Sequence, residues 1–176
     1  QPGQPGAVPP APPAPAPAPP TPAPAPAQAC PASLCGGTID ASGFSQIRLD
    51  MAGMDAARTL GVRISPKPDA THPYPTDDIG GVLLTFCNDK VCRLEATVAP
   101  PRTAEGLGVG SDLKKVSRKY GDSMCKPIDR NRYALEFEKL PGVYWLGDTF
   151  DCEGIEDIEY MDRKYRGKVK AVVVGM

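Results

Sequence analysis

The chain has 176 residues, with 20 Lys and Arg against 21 Asp and Glu and a formal charge of -1. Charges of both signs are mixed along it, so there is no basic footprint of the kind nucleic-acid binders carry. No run of 18 apolar residues offers a membrane span, and with His72 as the one histidine a mixed Cys/His zinc site has little material.

The first segment, residues 1–36, contains no charged side chain, and 14 of the 22 prolines lie between Pro2 and Pro31. From Val8 to Ala27 it is nearly a Pro-Ala alternation. Proline removes backbone donors and fixes φ near the polyproline II value, so neither a helix nor a sheet interior forms here. A semi-rigid tether is expected, reaching on the order of 90 Å at about 3.1 Å per residue. It reads as a spacer holding a domain away from an anchor, or as a protease-resistant leader without a specific role. A ligand for a proline-recognition groove would carry flanking Arg or Lys, and there are none. No basic, apolar leader precedes Gln1, and the expectation is a mature exported chain whose signal peptide has been removed.

The remaining residues, 37–176, are enough for a single core, and one domain is expected. The six cysteines, Cys30, Cys35, Cys87, Cys92, Cys125 and Cys152, form an even set. Each close pair is separated by four residues, which is neither the Cys-x-x-Cys redox spacing nor that of a zinc knuckle. Structural disulfides are therefore expected, and with them a periplasmic or secreted location.

Two stretches of the domain repeat. Ile47 to Gly61 and Leu107 to Gly121 each open on alternating apolar residues and run into a short helical pattern closed by glycine. In the second, Ser111 is the expected N-cap, with Leu113, Val116 and Tyr120 on one face. In the first, Met54, Ala57 and Leu60 are expected on the equivalent face. Farther on, Gly81-Val82-Leu83-Leu84 matches Gly142-Val143-Tyr144-Trp145, and Lys90 to Leu94 matches Lys168 to Val172, each pair reading as a hairpin. The second copy carries an insertion, Asp148 to Arg166, and an additional strand candidate at Arg132 to Glu138. The predicted fold is α+β: two tandem helix-plus-antiparallel-hairpin units, about 44–98 and 104–176. Their hairpins would join into one antiparallel sheet covered by both helices.

The Ile-x-Leu-x-Met motif at Ile47 to Met51 is followed by Ala56, Leu60 and Gly61. Its repeat is Leu107, Val109, Gly110 and Ser111 with Val116, Tyr120 and Gly121. This pattern resembles the tandem units of the beta-lactamase-inhibitor-protein-like superfamily. It is similar in the same way to small outer-membrane assembly lipoproteins of the BamE/SmpA type. The resemblance implies a non-enzymatic envelope or secreted protein that binds other proteins through sheet and loops. The chain departs from that pattern by lacking a lipobox cysteine at its start, by its extra cysteines and by the long second insertion.

On the repeat frame, a Cys87–Cys92 bond would close the first hairpin across the turn-prone Asn88-Asp89. A Cys125–Cys152 bond would tie the second helix to the insertion, and Cys30–Cys35 would form a small ring at the tether's root. This sequential pairing is preferred among the many that six cysteines allow. An exposed bond such as Cys30–Cys35 could instead be redox-active or intermolecular.

Catalytic patterns are wanting. His72 lies in Thr71-His72-Pro73-Tyr74-Pro75 with no Gly-x-Ser-x-Gly elbow to provide a nucleophile. Gly106, Gly108 and Gly110 lack the spacing of either phosphate-loop pattern and read as a tight turn into a helix. The acidic stretch Asp148 to Asp162, followed by Arg163, Lys164 and Arg166, does not match an EF-hand loop. It reads as a self-compensating hairpin, a charged docking edge or, less simply, a metal-dependent binder. No catalytic residue, metal ligand or cofactor is assigned. Aromatic residues dominate interface hot spots, so the partner-binding candidates are Tyr74, Tyr144, Trp145, Phe150 and Tyr160. Because strand neighbours alternate, Tyr144 and Trp145 must face opposite sides of the sheet. The expected function is a protein-interaction module or structural subunit of a cell-envelope assembly, with inhibition of a secreted enzyme as the alternative.

Overall fold

The computed structural model describes residues 29–67, 74–129, 131–147 and 166–175. The chain begins with a short helix α1 (Ala32–Cys35). Three two-residue strands follow, β1 (Ile39–Asp40), β2 (Gly43–Phe44) and β3 (Ile47–Arg48), paired antiparallel in that order. Helix α2 (Gly53–Leu60) then leads into β4 (Thr76–Asp78), β5 (Val82–Cys87) and β6 (Lys90–Ala96). Helix α3 (Leu113–Tyr120) leads into β7 (Ser123–Asp129), β8 (Arg132–Phe137), β9 (Leu140–Leu146) and β10 (Ala171–Val174).

The larger strands form one seven-stranded antiparallel sheet in the order β4-β5-β6-β10-β9-β8-β7. The two meanders therefore meet at their last strands: Val172 pairs with Ala96 of β6 on one side and with Trp145 of β9 on the other. The expected hairpins are both present. Each unit, however, is a helix followed by a meander of at least three strands, so β8 is the counterpart of β4, and β7 is the strand that the second unit adds. Strand β4, with its Thr-Asp-Asp sequence, carries no apolar alternation to betray it.

The helices sit on one face of this sheet. From α2 come Ala56 and Leu60, from α3 Leu113, Val116 and Tyr120. They pack with Val82, Leu84, Leu94, Phe137, Trp145 and Val172 in the main core. Met54 was expected on the packed face of α2 but is 79% exposed, and Ala56 takes the inward position. Nothing in the Met54 to Leu60 spacing distinguishes the two stripes of so short a helix. Gly61 ends α2 in the left-handed conformation (φ 66°), which glycine adopts without a Cβ penalty. The N-cap of α3 is Asp112, whose carboxylate accepts a hydrogen bond from the Lys114 amide at 2.8 Å. Ser111 sits one residue earlier, where its hydroxyl accepts from the Gly108 amide and braces the glycine turn instead.

Leu34 and Cys35 of α1 are buried in the main core. The folded unit thus reaches back before residue 37, where the change in composition had placed its start. Uncharged residues need not be tether when one of them is a leucine that can be buried. Two disulfides are formed as expected, Cys30–Cys35 and Cys87–Cys92. Cys125 is also disulfide-bonded, and its expected partner, Cys152, lies outside the described residues. Among the described residues no helix is long and apolar enough to cross a membrane.

Candidate functional site

The face of the sheet opposite the helices has its own small core: Ile128, Ala134, Tyr144, Leu146, Ala171 and Val173. What closes it is ionic. Arg93 and Glu95 project from β6, and Arg132 and Asp129 come from the β7–β8 turn region. Strands β6 and β8 are separated in the sheet by β10 and β9. In a flat sheet three spacings amount to about 14 Å, too far for these side chains to clasp directly. Yet Arg132 holds Glu95 with both terminal nitrogens, at 2.6 and 3.0 Å, and Arg93 Nη1 donates to the Ile128 carbonyl at 3.2 Å. The sheet must therefore coil until the β7–β8 turn arches over this face. The register shift between Pro127 and Asp129 is where β7 bends.

Within the cluster Arg93 donates to Glu95 at 2.9 Å, and Arg132 Nε donates to Asp129 at 2.7 Å. Glu95 is 3% exposed and Arg93 nearly as enclosed. Burial pushes the Glu95 carboxyl toward a higher pKa, but the Arg132 hydrogen bonds and the charges of Arg132 and Arg93 prevail and hold it below the usual range. Asp129 behaves alike: burial acts to raise it, and Arg132 brings it below the ordinary value. Arg132 itself is held protonated more firmly than usual by Glu95, against the effect of burial. Two cations and two anions thus satisfy one another. The Nε of Arg93 is a buried donor without a hydrogen-bond partner.

Such a cluster fastens; it does not provide a base at neutral pH, because both carboxylates are engaged by guanidinium groups. Beside it, Tyr144 is buried, and burial together with the neighbouring Glu136 carboxylate raises its pKa. A second polar knot lies at the end of α3. There the Tyr120 hydroxyl donates to Glu105 at 2.5 Å and lies 2.7 Å from Thr103 Oγ1. Burial, reinforced by Glu105, pushes Tyr120 up to about 12.

The aromatic candidates are dispersed. Trp145 has no exposed surface, stands edge-on to Phe137 with centroids 6.4 Å apart and lies 6.0 Å from Tyr120. It belongs to the main core and has no surface to offer a partner, because its strand position points it under α3. Tyr144 does face the opposite side of the sheet, as alternation demands, but is covered there too. Tyr74 is 51% exposed, just before β4 at one end of the sheet. Phe150 and Tyr160, like His72 and most of the acidic insertion, lie outside the described residues.

Sequence reasoning missed Met124 and Tyr133, exposed on the two outermost strands at the other end of the sheet. A lone methionine beside a cysteine carries no interface signal. It also missed the Arg93, Glu95, Asp129 and Arg132 cluster, whose members come together only through the coil of the sheet. Gly106 and Gly110 do lie in a turn, both at positive φ, with the Gly106 carbonyl accepting from Arg102 at 3.0 Å. Among the described residues no group of His, Cys, Asp and Glu could hold a metal.

No protein-family pattern matches this chain, and no curated protein matches it either. A structural likeness exists to the uncharacterized protein yfeY from Escherichia coli. That likeness has 12% sequence identity and a TM-score of 0.52, covering 79% of this chain and 99% of that one. At that identity the likeness shows a shared α+β fold and nothing of activity.

Proposed function

We propose that the chain is a non-enzymatic, extracytoplasmic protein-interaction module, periplasmic or secreted, that serves as a subunit of a cell-envelope assembly. The observation that supports this most is how the domain uses its groups. Its buried charges are consumed in a mutual clasp of Arg93, Glu95, Asp129 and Arg132, while apolar side chains stand out at the sheet's free end. Disulfides such as Cys30–Cys35 and Cys87–Cys92 persist in oxidising compartments. The duplicated helix-and-meander units agree with the resemblance to tandem-unit binding proteins. The uncharged tether would place the domain at a distance from an anchor.

The contact surface in this reading is the β7–β8 end. Met124 stands on one face of the two outermost strands with the Lys126 and Glu136 pair beside it, and Tyr133 stands on the other face. An apolar side chain with a charged margin, as at Met124, is the ordinary anatomy of a protein interface, and Tyr133 gives a partner that wraps the edge a second apolar contact. The partner is a folded protein presenting apolar side chains to that end. The test is affinity capture from envelope extract of the source cells under non-reducing conditions, followed by binding measurements on the recovered complex. A stoichiometric complex weakened at least tenfold by Met124→Glu and Tyr133→Ala supports the reading. Capture of a single hydrolase whose activity is blocked would overturn it in favour of an inhibitor. A complex indifferent to both substitutions would overturn the surface.

A further inference from the structure

The two helices cover the same face of the sheet, yet their outward sides differ in charge. On α2 the exposed Arg58 is held by Asp55 at 2.8 Å, so that side carries its own counterion. On α3 the exposed side chains include Lys114, Lys115, Arg118 and Lys119, with no carboxylate among residues 113–120. Leu113, Val116 and Tyr120 take the buried side of the helix, which confines the cations to the opposite arc. Lys119 reaches Glu105 at 3.7 Å, but that carboxylate is already engaged by the Tyr120 hydroxyl. Among the described residues, Lys114, Lys115 and Arg118 have no carboxylate within ion-pair distance. The Asp112 carboxylate is turned back to cap the helix, and the exposed Lys168 runs alongside that end. Asp122 and Glu138 lie beyond the other end.

We infer that the outward side of α3 docks on an anionic phospholipid bilayer, its lysines and arginine meeting the lipid phosphates. Three observations converge on that occupant. First, the face repels itself: Lys114 with Arg118 and Lys115 with Lys119 are like-charged pairs four residues apart, an arrangement that destabilises a helix. A dense anionic surface is its complement and turns that repulsion into attraction. Clusters of this size on an amphipathic helix are what anionic membranes attract. Second, three of the cations are lysines and one is an arginine. Lysine is a hydrated point charge without a planar fork, and protein interfaces are depleted of it and enriched in arginine. The set therefore suits many loosely placed phosphates better than the surface of one folded partner. Third, Met54 on the outward side of α2 is 79% exposed in the same helix layer. Interfacial binding adds buried apolar area to electrostatic attraction, and Met54 provides that apolar contact.

This goes beyond the proposed partner contact and does not rest on it, because it concerns the helix layer and not the β7–β8 end. The experiment is sedimentation of the full chain with vesicles of phosphatidylcholine alone and of phosphatidylcholine with about a third phosphatidylglycerol. The expected result at low salt is binding at least about tenfold stronger to the anionic vesicles. It should fade at about 0.15 M salt, where charges are screened beyond about 8 Å. Charge reversal by Lys114→Glu, Lys115→Glu and Arg118→Glu should abolish the preference. These side chains are exposed, and an unchanged thermal melt would show that the variant stays folded. If it does not fold, the milder pair Lys114→Gln with Lys115→Gln should still weaken anionic binding at least about fivefold. Lys114→Arg with Lys115→Arg should keep the binding, since charge carries the contact. Met54→Ser should weaken binding while leaving the preference for anionic lipid. Equal binding to both vesicles, or anionic binding that survives charge reversal, would overturn the inference. So would displacement by millimolar glycerol phosphate, which would assign a discrete phosphate site in place of a bilayer. Absence of vesicle binding would overturn it as well, and capture of an acidic protein through the same residues would then assign the face to that partner.

Discussion

The two faces of the seven-stranded sheet are closed by different physics. On one, two short helices cover an apolar layer that includes Trp145, Phe137, Leu94 and Val172, and burial of hydrocarbon holds the layers together. On the other, a core of six residues is roofed by a turn of the sheet itself, and two arginines and two carboxylates pin that turn down. The first arrangement tolerates slight misplacement because dispersion contacts are many and individually small. The second does not: Arg93 and Glu95 have been taken out of water and depend on partners at hydrogen-bond distance. A small domain can thus fold a sheet back on itself without a third layer, at the cost of making that closure an all-or-none ionic contact.

The largest effect should come from the helix-covered face. Trp145→Ala removes the largest fully buried side chain and should destabilise the domain by about 3 to 5 kcal/mol in denaturant titrations. The disulfides would limit the expansion of the unfolded chain but would not restore the core. On the ionic face, Glu95→Ala leaves Arg93 enclosed with only Asp129, 3.8 Å away, as a carboxylate partner, and a loss of about 3 kcal/mol is expected. The comparison is sharpened by the combined change Arg93→Met, Glu95→Leu, Arg132→Met. Replacing these three charges with apolar groups of similar volume leaves only Asp129, whose side chain is 22% exposed and can turn to water, so the variant should fall within about 1 kcal/mol of the parent or exceed it in stability. If the combined variant is as damaged as Glu95→Ala alone, the charges do more than fasten, and a ligand or partner of the cluster must be sought.

Much of this was legible beforehand, and the reason differs by element. The matching apolar runs Val82 to Leu84 and Val143 to Trp145, and the glycine stops at Gly61 and Gly121, are local signals, and local signals fixed the hairpins and helices. The close cysteine pairs were legible because Cys87 and Cys92 flank one tight hairpin turn, which brings their Cα atoms to 5.6 Å although Cys87 itself pairs with Lys90 in the ladder. The small β1–β3 sheet escaped notice because its strands are two residues long, too short for the alternation that begins at Ile47 to mark them as a sheet. The ionic closure escaped for a deeper reason: Arg93 and Arg132 meet the same glutamate only after the sheet has coiled through three strand spacings. The aromatic dipeptide Tyr144-Trp145 looked like a surface anchor and is buried on both sides, since a central strand with cores above and below has no exposed face.

The acid limb of stability should report the ionic face selectively. Glu95 and Asp129 have folded-state pKa values below their ordinary 4.5 and 3.8. A carboxyl with a depressed folded pKa contributes stability that is present in full above its unfolded pKa and is lost as the pH falls through the folded one. The melting temperature should accordingly stay level through the neutral range and fall once the pH drops below about 4. In the Arg93→Met, Glu95→Leu, Arg132→Met variant that fall should be shallower. A parent and a variant with superimposable acid limbs would show that other carboxylates govern acid unfolding.

The smallest effect isolates burial from geometry. Arg48 and Asp40 on the β1–β3 sheet make an ion pair as well formed as those in the clasp, with Arg48 Nη1 at 2.8 Å from both carboxylate oxygens. Burial tends to raise the Asp40 pKa, and hydrogen bonds from Ser42 and Arg48 bring it below its usual value. Both side chains nevertheless remain more than two-fifths exposed, so water screens the pair and little desolvation has been incurred. Asp40→Asn should therefore change stability by less than about 1 kcal/mol in the same denaturant titrations, against about 3 for Glu95→Ala. If the two losses were equal, hydrogen-bond geometry alone would set the worth of an ion pair here. The contrast between a face closed by apolar layers and a face closed by enclosed charge would then lose its physical basis.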